Sequence, residues 1–179
     1  ESGKTISSIF IELSRKLYSI HMILNDMKTF CKYFDILRTE DIKMIFKIFE
    51  ICITVIAAYI IGSIPTGYLI VKSKTGDDIR TIGSGSTGAT NVKRIMGTKW
   101  FFSVMLIDAL KGIIPVLIAV KWFNFMNYFG LTPVIAATFA IIGHSKSVFL
   151  GFKGGKSVAT GVGTILALCW PVGLIVAVV

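Results

Sequence analysis

Gly143 to Gly161 reads GHSKSVFLGFKGGKSVATG, a histidine, three lysines (Lys146, Lys153, Lys156), serines and a Gly154-Gly155 pair set between two apolar runs. Glycines let the backbone turn and expose its N–H groups, and lysines add positive charge. The helix expected after them would aim its N-terminal amides and dipole at the same place. So many donors flanked by apolar sequence call for a polar ligand, and a phosphate-bearing molecule fits.

A second such stretch runs from Asp77 to Arg94, DDIRTIGSGSTGATNVKR. Gly83, Gly85 and Gly88 spell the spacing of a dinucleotide-binding loop, and Asp108 stands 20 residues past Gly88. That reading fails because no strand pattern precedes the glycines and Asp108 lies inside an apolar run. Gly151 to Ser157 is likewise one residue short of a Walker A loop. The exposed amides remain, with a short helix expected from about Ala89 to Met96 and charge from Arg80, Lys93 and Arg94. A plain interhelical loop is the alternative, since Gly, Ser, Thr and Asn are ordinary turn residues. Asp108 and Lys111 are three apart on one helical face, roughly 12 to 16 Å beyond Trp100. Ionisable residues at such depth pair or line a polar cavity, so a ligand-facing pair and a structural ion pair are both open. His144 is compatible with a general base or with a side chain that holds its loop.

The elements that position these residues are membrane spans. The chain has 179 residues, 54% of them hydrophobic, and a mean hydropathy of +0.75, outside the soluble globular range. Residues 51–179 carry 11 Lys/Arg against Asp77, Asp78 and Asp108, which is +8 of the net +9. The cations sit in loops between apolar runs, which excludes a nucleic-acid face and favours lipid headgroups or an anionic substrate. Four spans are expected: Ile45 to Val71, broken at Gly62-Ser-Ile-Pro-Thr-Gly67 by Pro65; Trp100 to Trp122, with an indole for each interface; Thr132 to about His144; and a run from Val158 to Val179. That last run is still apolar at the final residue, so further spans are expected beyond it. The 72–99 and 143–157 loops hold six and three Lys/Arg, which puts both on the cytoplasmic side and predicts that they meet on one face of the bundle.

Residues 1–43 differ in kind. Ile6, Ile9, Phe10, Leu13, Leu17, Ile20, Leu24 and Met27 recur at helical spacing among charged residues, predicting an amphipathic helical leader ahead of a membrane domain over 44–179. The leader's role is open, an extension or an artefact among the readings. The opening Glu-Ser-Gly-Lys-Thr lacks the leading glycine of a P-loop. Cys31, Cys52 and Cys169 are too scattered for a metal site and read as packing residues. No metal and no cofactor is expected.

Ile79 to Gly97 and Gly143 to Gly161, with the Gly62–Gly67 interruption and the DALKG run from Asp108, resemble the bacterial acyl-phosphate glycerol-3-phosphate acyltransferase family of the PlsY type. The resemblance covers about Met44 to Val179. It implies an all-α, polytopic integral membrane enzyme of the bacterial plasma membrane with two cytoplasmic glycine-rich loops. Such an enzyme moves a fatty acyl group from acyl phosphate to the 1-hydroxyl of glycerol 3-phosphate, giving lysophosphatidic acid and phosphate. The enzyme that makes acyl phosphate becomes a possible partner. Candidate catalytic residues are then Ser84, Asn91, Arg94, His144 and Lys153. Candidate substrate-binding residues are Gly83, Gly85, Gly88, Thr90, Lys111, Gly154, Gly155 and Lys156, with Gly154 and Gly155 in the glycerol-phosphate loop. A methyl on either is expected to block approach to phosphate and raise KM. The family usually has Asn at Ser86, Pro near Ser147 and often Gly at Ser157, and its third motif follows spans this chain lacks. An acyl phosphate is already activated, so transfer is expected to be direct, without an acyl-enzyme. A transporter for a phosphorylated or anionic solute is the rival reading, because broken spans and buried charges serve transporters too.

Overall fold

The computed structural model describes residues 6–122 and 131–178. Seven α-helices carry them: α1 Ile6–Ser63, α2 Thr66–Thr75, α3 Ala89–Met96, α4 Thr98–Trp122, α5 Leu131–Ser145, α6 Val158–Leu168 and α7 Trp170–Val178. By internal contacts the chain divides into two compact units, Glu1–Ile48 and Phe49–Val179. In the first, the described part is helical as its periodicity requires, and Leu17, Ile20, Leu24 and Met27 of the apolar stripe are exposed.

In the second unit, α1 stops at Ser63 and α2 starts at Thr66 because Pro65 has no N–H and disfavours a helical residue before it. Among the described residues, three stretches are long and apolar enough to cross a bilayer: Thr39–Thr75, Thr98–Lys121 and Leu131–Leu150. The expected fourth span is instead two helices. α6 has 11 residues, about 16 Å against a hydrocarbon core of about 30 Å. Cys169 leaves helical geometry at φ −152°, ψ 90°, and Pro171 cannot donate back to α6, so the chain breaks there. α7 then packs on α6, with Gly173 close against the Leu166 backbone.

The packing is that of a protein in lipid. Small residues fill the core around Ala58, Val116, Ala119, Ala136 and Ala137, while Leu106, Leu110, Ile114 and Leu117 of α4 are exposed. α4 is central, packing on α3, α5 and α6. A second cluster, Val71, Ile79, Val92 and Val104, lies under the first glycine loop, with Trp100 packed against it. Cys52 and Cys169 are free and exposed, which corrects their reading as packing residues; the Cys31 side chain lies outside the described residues.

Gly62 and Gly143 set the α1–α5 crossing. A Cβ on Gly143 would meet the Tyr59 carbonyl and the Ser63 amide, and one on Gly62 would meet the Ala140 backbone. Backbone cannot yield as a side chain does, so Gly143→Val should destabilise by about 3 kcal/mol or more. Gly161, in α6, has open space around it. Gly161→Ala should therefore be neutral or stabilise by up to about 1 kcal/mol. Thermal melts of the two variants in detergent should diverge in these directions.

Candidate active site

The first loop is built on side chain–backbone bonds that fix its turns. Asp78 caps a 3-10 turn, Ile79–Thr81, by accepting from the Arg80 amide at 2.9 Å. Its carboxylate also takes Arg80 Nε at 3.0 Å and Nη2 at 2.6 Å. Arg80 in turn lies over the Tyr68 ring, 5.4 Å from its centroid. What precedes the glycines is thus a 3-10 turn and not a strand, in keeping with the rejection of a dinucleotide loop.

Asn91 is 1% exposed and ties the rest of the loop together. Its Oδ1 accepts from the Ser84 amide at 3.0 Å. The two hydrogens of its Nδ2 are shared among the carbonyls of Ile79 at 3.3 Å, Ile82 at 3.0 Å and Ser86 at 3.0 Å. Gly83, at φ +62°, passes so close that a Cβ there would meet Asn91 Oδ1. Asn91, expected as a catalytic group, thus pegs the loop through these bonds and also lines the larger cavity where the two loops meet. Ser86 Oγ accepts from the Gly88 amide at 3.3 Å. α3 then begins at Ala89, as the sequence predicts; its Asn91 and Val92 amides donate to the Gly88 carbonyl at 3.1 and 3.3 Å, while those of Ala89 and Thr90 precede any carbonyl of the helix.

The second loop is anchored to the end of α5. The Gly155 amide donates to the His144 carbonyl at 3.1 Å. Ser157 Oγ donates to the Ile141 carbonyl at 3.1 Å and is hydrogen-bonded to Ser145 Oγ. Ser157 has φ +57°, a left-handed conformation that glycine adopts most readily. Ser147 has φ −62°, which a proline ring would also impose; here its hydroxyl donates to the Ser63 carbonyl instead.

The loops come together around two cavities. The larger, about 550 Å³, is lined by Ser84, Ser86, Gly88, Thr90, Asn91 and Arg94 of the first region and by His144, Lys156 and Ser157 of the second. Asp108 reaches it from α4, and Phe101, Met105, Leu106, Val158, Val162 and Val176 add apolar wall. The smaller, about 310 Å³, is lined by Asp78, Arg80, Thr81, Gly85, Thr87, Lys153 and Gly154. Lys153 is therefore separated from Arg94, which lines the other cavity. Gly83 and Gly155 line neither: each packs against a side chain, Asn91 and His144 respectively.

Lys111, expected to bind substrate, is spent internally. Its ammonium lies 2.8 Å from Asp108 Oδ1 and donates to the Ile64 carbonyl at 2.9 Å. Two features escaped the sequence reading. The Asp78–Arg80 clamp spans two residues and exists only once the turn forms. The apolar wall is drawn from exposed faces of α4, α6 and α7 that carry no motif.

The bonds from Arg80, side chain first and amide second, lower the Asp78 carboxyl to about 2 from an ordinary 3.8, and the same pairing raises the Arg80 guanidinium. A depressed carboxyl stabilises the fold above its unfolded value and loses that contribution as pH falls through the folded one. The clamp should hold down to about pH 3 and fail towards pH 2. Carbon-13 NMR should show Asp78 returning to the ordinary carboxylate range in Arg80→Gln; a wild-type midpoint already in that range would refute the clamp.

These features define a helical, multi-pass membrane protein with an amphipathic cavity between two glycine-rich loops. The glycerol-3-phosphate acyltransferase family model matches residues 52–179. The glycerol-3-phosphate acyltransferase of Trichormus variabilis is 47% identical over 133 residues, covering 67% of this chain and 59% of its own length. That of Gluconobacter oxydans is 51% identical over 124 residues, covering 69% and 58%. The crystal structure of PlsY (YgiH), an integral membrane glycerol 3-phosphate acyltransferase in its glycerol 3-phosphate form, matches with a TM-score of 0.63 at 44% identity. It covers 70% of this chain and 60% of that one. The chain belongs to the glycerol-3-phosphate acyltransferase family, and it spans about three-fifths of the length of these relatives.

Proposed function

We propose that the protein transfers a fatty acyl group from acyl phosphate to the 1-hydroxyl of glycerol 3-phosphate, releasing lysophosphatidic acid and phosphate. The observation that carries this reading is the larger cavity. Arg94, Lys156, hydroxyls and the Ala89–Thr90 backbone at the start of α3 share one enclosure with the apolar wall from Phe101 to Val176. A substrate with a phosphate at one end and a long acyl chain at the other needs both. Family membership supports it, as do solved forms of PlsY with glycerol 3-phosphate and with lysophosphatidic acid.

In this reading Arg94, Lys156 and the amides after Gly88 hold the acyl phosphate, and Ser84 lies beside its carbonyl. The smaller cavity, with Lys153, Gly85 and Gly154, takes the phosphate of glycerol 3-phosphate. The glycerol hydroxyl attacks the acyl carbonyl, the bond from carbonyl carbon to phosphate oxygen breaks, and the departing phosphate takes the hydroxyl proton. The anhydride supplies its own leaving group, so positioning and oxyanion stabilisation suffice. Both loops face the cytoplasm of a bacterial plasma membrane, where an acyl-phosphate-forming enzyme would supply the donor. Residues 44–179 form the acyltransferase domain and 1–43 an extension to it.

The test is formation of lysophosphatidic acid from acyl phosphate and glycerol 3-phosphate by the purified full-length protein, without acyl-CoA or acyl carrier protein. Sequential kinetics are expected. Absence of product, or acyl label trapped on a serine or cysteine before glycerol 3-phosphate is added, would refute the reaction or the direct route respectively.

A further inference from the structure

Among the described residues, the buried members of the Asp, Glu, Lys, Arg and His set are Asp108, Lys111 and His144, all in the second unit. The proposed chemistry gives Lys111 no step, yet its surroundings are specific. α1 ends at Ser63, two residues before Pro65, so the helical ladder stops there, and of the carbonyls at that end Ile64 keeps one backbone donor, the Thr66 amide at 3.0 Å. Two side chains supply donors. Lys111 Nζ reaches the Ile64 carbonyl at 2.9 Å, and Ser147 Oγ reaches the Ser63 carbonyl. A helix C-terminus is the negative end of its dipole, so an ammonium is favoured there.

From that anchor the contacts run towards the second loop. Lys111 holds Asp108 at 2.8 Å. Asp108 Oδ1 lies 3.9 Å from His144 Nδ1, a buried nitrogen without a hydrogen-bond partner. The His144 carbonyl takes the Gly155 amide at 3.1 Å, and its ring occupies the place a Gly155 Cβ would need. Asp108 also lines the larger cavity, where an unneutralised carboxylate would repel phosphates.

We propose that Lys111 and Asp108 are positioning residues, an ion pair seated on the broken end of α1 that fixes His144 and, through it, the backbone at Gly154-Gly155. Lys111 also cancels the Asp108 charge next to the substrate phosphates. The kinetic consequence rests on the acyl-transfer reading; the structural one does not.

The discriminating variant is Asp108→Leu/Lys111→Met. Replacing both members of a buried pair by apolar residues of similar size commonly preserves the fold. Full-length protein in nanodiscs would be followed by thermal melting, by amide exchange over 151–157, and by steady-state kinetics. The expected result is near-native melting with amides at 151–157 exchanging about 10-fold faster or more, and KM for glycerol 3-phosphate raised more than kcat falls. Near-native melting with wild-type exchange at 151–157 would overturn the proposal and leave the pair purely structural. Should the double variant not fold, Asp108→Asn, which keeps shape and removes charge, is expected to accelerate the same amides, and wild-type exchange there overturns the proposal equally. If the wild-type protein neither binds glycerol 3-phosphate nor forms product, the acyl-transfer reading fails while the exchange measurement still decides this one.

Discussion

Asn91→Ala should destabilise the protein by about 3 to 5 kcal/mol, because several buried backbone groups lose their partner at once. One amide, that of Ser84, loses an acceptor, and three carbonyls, those of Ile79, Ile82 and Ser86, lose a donor. The loop carrying Ser84 and leading to Arg94 would come apart, and product formation should fall by about 100-fold or more. Asn91→Asp is expected to be worse than alanine despite its shape. One carboxylate oxygen still accepts from Ser84, but the other would face three carbonyls with no hydrogen to give. A direct chemical role predicts the opposite pattern, with turnover lost and the melt unchanged in Asn91→Ala. Melting and acyl-transfer assays on the two variants decide between peg and catalyst.

Why the peg was not legible follows from its geometry. The contacts of Asn91 reach back 5 to 12 residues, so they depend on three turns having formed first. Local signals were different. Pro65 announces the end of α1 whatever the tertiary context, and Gly88 before ATNVKR marks the start of α3 at Ala89. α4 was legible because a 25-residue apolar run has few other uses. Hydropathy alone makes 158–179 one run, whereas Pro171 breaks it into α6 and α7. The charge pattern placed the cations in loops but not their division. Arg94 and Lys156 line one cavity and Lys153 the other, a partition set by the turn of the second loop.

The second glycine loop carries the other large expected effect, and here the structure changes the reason for it. A methyl on Gly154 was expected to obstruct phosphate; the built Cβ instead meets the backbone of His144 and Ser145. On Gly155 it meets the His144 imidazole at Nε2. Neither clash needs a ligand. Gly154→Ala has only backbone to displace and should cost about 3 kcal/mol or more, lowering the melting temperature as well as the activity. Gly155→Ala presses on a side chain, so its effect should depend on His144. Pairing it with His144→Ala should recover about 1 to 2 kcal/mol relative to additivity, the signature of a direct clash between neighbours. Simple obstruction of phosphate predicts otherwise: a raised KM, an unchanged melt, and no coupling to His144. A double-mutant cycle of Gly155 with His144, read by thermal unfolding in the absence of substrate, separates the two for Gly155, where additivity within about 0.5 kcal/mol would refute the clash; for Gly154 an unchanged melt in Gly154→Ala would do so.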